Sequence, residues 1–212
     1  MEARPNLELL VLHALRLSAF ATSQGVAVRW NLDESEVRLA LDAARTEGWV
    51  IHRDDRVGGW LLTAKGRSHA EDLIAAELDA NGGRDVAERV YGSFRPLNAS
   101  FLTICTDWQL REVDGERTIN DHADPHHDRA VIDRLEAVHP EVVTLVTTMS
   151  ARLDRFEGYE ARFTHALTRV RANDIDWLTK PVIDSYHTVW FELHEDLLAT
   201  LGRSRSAEGE EA

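Results

Sequence analysis

Leu32-Asp33-Glu34-Ser35-Glu36 opens a series in which Val37, Ala40, Leu41 and Ala44 recur at helical spacing; Gly48 follows, then Trp49-Val50-Ile51-His52-Arg53 and Gly59-Trp60-Leu61-Leu62. Asp33 can accept from the free amides of a first helical turn and Glu36 completes a capping box, so a helix starts at Asp33. Gly48 supplies the left-handed residue that stops it. The next two runs read as strands, with Asp54-Asp55-Arg56-Val57-Gly58 as the turn between them. Upstream, Leu7, Leu10, Val11, Ala14, Leu15 and Phe20 give a first helix one apolar face, and a short second helix spans about 23–30. Downstream, Leu62-Thr63-Ala64-Lys65-Gly66-Arg67 leads into a helix over 65–78 that carries Ala70, Leu73, Ile74 and Leu78.

Three helices, a two-stranded ribbon and an exit helix are the outline of a winged helix-turn-helix. The Leu-rich first helix, the capped third helix ending in Glu47-Gly48-Trp49-Val50, the Asp55-Arg56 pair and the Leu-Thr-x-x-Gly-Arg exit resemble the winged helix of MarR-like and PadR-like bacterial transcriptional regulators. The resemblance covers about a third of the chain. It implies that the third helix enters the major groove of double-stranded DNA and that the wing arginine reaches the neighbouring minor groove. Position by position, the contacts it implies are Ser35, Arg38, Arg53 and Arg56, with Asp55 holding the wing arginine. The exit helix is then expected to help form a homodimer.

Asn81-Gly82-Gly83 marks the expected domain boundary. Beyond it, Val86, Val90, Phe94, Leu97, Phe101, Ile104 and Trp108 predict one long helix over 84–111, kinked or broken near Pro96. The polar segment 112–128 reads as loop with a turn at Asp114-Gly115, and a short helix over 128–138 follows. Pro140 reads as the first position of the next helix, with Val142, Leu145, Val146, Met149, Leu153 and Phe156 on its buried face. Tyr159, Phe163, Ala166, Leu167 and Val170 give another helix, and a last one spans 181–202. The expected fold is therefore mainly α: a winged helix over 1–80, an all-α helical bundle over 81–202, and a disordered tail over 203–212. The second half, from Asp184 to Leu198 above all, resembles the C-terminal half of MarR-like regulators from actinobacteria.

A formal charge of -13 sets the electrostatic frame. Residues 1–80 hold 9 Lys+Arg against 13 Asp+Glu, and residues 81–212 hold 15 against 24, so acidity is concentrated in the second half. Non-specific affinity for phosphates should be weak and salt-sensitive. Cys105 is the single cysteine, which excludes an intramolecular disulfide and fits a reducing cytoplasm. Neither a signal peptide nor a bilayer-length apolar run is visible, so a cytoplasmic protein with no membrane partner is expected.

His187 and His194 lie seven residues apart on one side of the last helix, near the stripe centred on Trp190. With Tyr186, and with Asn98, Cys105 and Gln109 of the long helix, they make a candidate pocket for a small effector; the alternative is histidines satisfied within a core. The loop Asp121–Asp128 carries three histidines and three aspartates, but no cysteine pair or His-Glu-x-x-His spacing supports a metal, and a solvated loop is the reading. No metal or other cofactor is expected. Phosphate loops, nucleophile elbows and paired catalytic acids are absent from the sequence, so an enzyme is not expected. The functional expectation is a one-component regulator that binds operator DNA and is modulated through its helical half. The alternative, motivated by Glu34, Glu36, Leu39 and the net charge, is an acidic winged-helix scaffold that binds a protein partner.

Overall fold

A computed structural model describes residues 6–53, 58–113 and 115–204. The chain is mainly helical, and the described residues divide into two compact units. The first comprises the chain up to Arg84, the turn Leu153–Arg155 and the segment from His194 onward; the second comprises Asp85–Arg152 and Phe156–Leu193. This division differs from a single cut after residue 80, because the turn at 153–155 and the chain from residue 194 pack with the first unit.

In the first unit, α1 (Leu7–Ser18), α2 (Ser23–Trp30) and α3 (Glu34–Thr46) precede β1 (Val50–Arg53), β2 (Gly59–Leu62) and α4 (Ala64–Ala80). Each helix start is capped by the side chain before it. Asn6, Thr22, Asp33 and Thr63 accept from the amides of Leu9, Gly25, Ser35 with Glu36, and Gly66 respectively. Asp33 is thus the cap, and α3 begins one residue later. Gly48, with φ of +74°, lies just beyond its end. The core joins Val11, Leu12 and Leu15 of α1 to Val26 of α2, Val37 and Leu41 of α3, Val50 of β1 and Ala70 of α4. The hairpin pairs Val50 with Leu62 and Arg53 with Gly59, and Ala21 adds a bridge to Trp60 that no spacing in the sequence signals. Gly66 cannot be replaced without moving backbone, because an added Cβ would lie 1.9 Å from the Trp49 carbonyl oxygen. This close approach seats α4 against the hairpin. A second small core joins Leu9, Ile74 and Ala199, so the chain's last helical turns belong to this unit.

The second unit contains α5 (Arg84–Gln109, from Asp85 onward), β3 (Leu110–Val113), β4 (Glu116–Ile119), α6 (Pro125–Ser150), α7 (Tyr159–Arg171), α8 (Asp176–Thr179) and the first half of α9 (Tyr186–Thr200). Three expectations are corrected, and of the kink or break expected near Pro96 the break is absent. α5 runs through Pro96, and α6 is one helix through Pro140 rather than two. Both prolines are exposed, so each ring lies on the solvent side of its helix, where the lost backbone hydrogen bond costs least. The polar segment forms a hairpin, β3–β4, with Leu110 opposite Ile119 and Gly115 at φ of +84°, so this half is not all-α. The last helix starts at Tyr186, after a separate single-turn α8, with Ser185 Oγ accepting from the Thr188 amide. The tail beyond Ser204, like Asp55 and Arg56, lies outside the described residues.

Candidate functional site

The solvent side of α3 presents Ser35, Arg38, Leu39, Asp42 and Thr46, while Val37, Leu41 and Ala44 are buried beneath it. Carboxylates hold Ser35 and Arg38 of that face. Ser35 Oγ donates to Asp33 Oδ1. The Arg38 guanidinium donates twice to Glu34 Oε1, at 2.7 and 3.1 Å, and Ser23 Oγ of α2 donates to the same oxygen at 2.8 Å. Arg45 pairs with Asp42 at 3.0 Å. The hydrogen bonds from Ser35 and from two backbone amides hold Asp33 below the usual carboxylate range, and Ser23 and Arg38 do the same for Glu34. Both are therefore fixed anions at neutral pH. Leu39 is 72 % exposed in the middle of the face, and Val28 of α2 is 75 % exposed. Arg53 is exposed at the end of β1. Of the four residues expected to meet DNA, Ser35 and Arg38 share one helix face and Arg53 is on the hairpin; Arg56, with Asp55 expected to hold it, lies outside the described residues.

The expected effector residues are distributed differently. In the second unit, Trp190 Nε1 donates to Asn98 Oδ1 at 2.8 Å, which satisfies both buried groups directly. Phe101 stacks on Trp190 at 4.2 Å and lies 6.1 Å from the His187 ring, while Phe94 and Phe163 close on Trp190 and Tyr186. Tyr186 is buried, its hydroxyl 3.2 Å from His139 Nδ1. Burial pushes the Tyr186 phenol up and the His139 imidazole down, the latter aided by Arg171. Burial also pushes the Cys105 thiol up to about 12, so it is a buried, unreactive thiol. Gln109 is exposed at the end of α5, and His194 is buried in the first unit. Asn98, Tyr186, His187 and Trp190 are thus gathered around Phe101 as packed aromatic core, and Gln109 stands outside it.

The histidine-rich loop organises structure. Asn120 donates to the Trp108 carbonyl and to Asp128, and His122 Nδ1 lies 2.9 Å from Asp128 Oδ2. His127 Nε2 meets the Asp107 carbonyl at 2.7 Å. Among the described residues no group of three or more His, Cys, Asp and Glu is placed to hold a metal ion. No helix among them is long and apolar enough to cross a membrane.

Two polar clusters have no counterpart among the sequence expectations. In the first unit Arg155 is fully buried and donates to Glu77 at 2.7 Å, to Thr200 at 2.5 Å and to Asp196; His13 Nε2 lies 3.0 Å from the same Asp196 oxygen. In the second, Arg162 forks onto Asp184 at 2.7 and 2.8 Å and reaches Glu192 at 2.5 Å. Burial opposes the Arg162 charge, but the Asp184 hydrogen bond and the charges of Glu192 and Asp184 outweigh it and raise its pKa. His13 stands inside the apolar run Leu9–Leu15, and a lone histidine in such a run is the available signal. Compared with known proteins, the chain matches no family model, no curated protein and no solved structure.

Proposed function

We propose that this chain is a DNA-binding transcriptional regulator, with the first unit acting as a winged helix of the MarR-like or PadR-like kind and the second as its helical regulatory half. In this reading α3 lies in the major groove, the β1–β2 hairpin is the wing, and two copies pair so that two α3 helices address one palindromic site. The observation that carries it is α3 itself. A helix capped by Asp33, packed on α2 through one apolar face and followed directly by a hairpin, leaves Ser35, Arg38, Leu39, Asp42 and Thr46 on an uncovered face. Leu39 at its centre suits contact with a thymine methyl, and Arg38 is within one turn of it. Because five carboxylates stand among residues 33–47 against two guanidiniums, affinity must come from base-edge contacts more than from phosphates. The effector half of the reading has less support, since the residues expected to line a pocket pack as aromatic core.

The test is fluorescence anisotropy of the full chain on a labelled duplex from its own upstream region and on a scrambled duplex, across a salt series. Preferential binding that Arg38→Ala plus Arg53→Ala weakens supports the reading; equal, feeble binding to both duplexes at low salt refutes it for that region. One observation favours the second reading, a protein partner: Leu39 and Val28 are both largely exposed. Copurification of a basic protein lost on Leu39→Ser, with no DNA preference, would favour it.

A further inference from the structure

The side chains of Arg155, Asp196 and His13 are fully buried, and they come from three separate parts of the chain that meet inside the first unit. Asp196 is on the C-terminal half of α9, His13 on α1, Arg155 on the turn after α6, and Glu77 on α4 holds the other side of Arg155. Arg29 of α2 acts on both His13 and Asp196 through space. With His13 neutral, the two carboxylates are matched by two guanidiniums. His13 Nε2 faces Asp196 without the alignment of a full hydrogen bond, and its Nδ1 has no hydrogen-bond partner among the described residues. The Trp30 ring, stacked at 6.2 Å, has no acceptor nitrogen to offer, because an indole N–H only donates, here to the Leu10 carbonyl. A proton on His13 therefore adds an unmatched charge and a buried donor with no acceptor.

We propose that this cluster is a proton-sensitive latch: with His13 neutral it fastens the turn at Arg155 and the C-terminal half of α9 to α1 and α4, and a proton on His13 loosens them. The inference goes beyond the DNA-binding reading and stands without it. Burial lowers the His13 pKa from 6.5, against the opposing pull of Asp196 and with Arg155 and Arg29 adding to the fall. The unfolded chain then binds the proton more readily than the folded one. The latch is at full strength above about pH 6.5 and weakens as pH falls below that value towards the folded pKa. Burial pushes Asp196 up, but Arg155 and His13 outweigh it and hold the carboxyl low, so its contribution is lost only in a separate, more acidic window.

The test is urea unfolding of the full chain, wild type and His13→Gln, at about pH 7.5 and about pH 5.5, on either side of the ordinary imidazole value. On acidification the wild type should lose up to about tenfold more of its folding equilibrium constant than the variant, the full tenfold following when the folded imidazole stays neutral down to the lower pH. Equal losses overturn the latch. Should His13→Gln fail to fold, long-range proton–nitrogen NMR of the wild-type imidazole decides instead. A ring still neutral at about pH 6 supports the latch, and one titrating at or above about pH 6.5 overturns it.

Discussion

Arg155 and Arg162 are seven residues apart, and each guanidinium holds two carboxylates, one pair in each unit. Arg155 and Asp196 are 0 % exposed, whereas Arg162 is 22 % and Asp184 50 % exposed. The pairing chemistry is the same, and burial makes the difference. In the more open cluster water can reach Asp184 when its partner is lost; in the closed one, whatever remains is a charge without solvent.

The largest effect should follow from Arg155→Ala, which takes the Arg155 guanidinium from the buried Asp196 and should remove about 3–5 kcal/mol in a urea titration. The double change Arg155→Met with Asp196→Leu sharpens the comparison, because removing both charges should recover most of that loss. Arg162→Ala should cost about 1 kcal/mol, and its cost should shrink as salt is raised. A cost for Arg162→Ala as large as that for Arg155→Ala would break the comparison. The smallest stability effect belongs to Arg38→Ala, an exposed i,i+4 pair, at roughly 0.5 kcal/mol or less. If α3 binds DNA, that same change should lower affinity on every duplex that binds and alter the salt slope by about 1 if the arginine meets a phosphate.

The N-terminal helices and first hairpin are legible in the sequence because local signals agree: apolar spacing along α1 and α3, the Asp33 cap and the left-handed Gly48. The second hairpin is not, since β4 is exposed along its whole length and carries no apolar alternation to betray it. Pro140 reads as a helix start by its usual preference, yet an exposed position lets a long helix tolerate it. The Arg155 cluster is invisible for a different reason. Arg and Asp in a sequence read as surface, and only the return of residues 153–155 and 194–200 to α1 and α4 buries them. At the candidate site, the placing of Ser35, Arg38 and Leu39 on one exposed face follows from helical period, whereas the ties from Glu34 and Asp33 depend on rotamers that no spacing specifies.

Amide hydrogen exchange of the full chain, with and without the labelled duplex, tests the central claim that α3 is the DNA-contacting element. Slower exchange across residues 34–46 and 50–53 on adding DNA, with residues 101–108 of α5 unchanged, is the predicted result. Protection confined to any other segment, or none in α3 under conditions where DNA is bound, would contradict it.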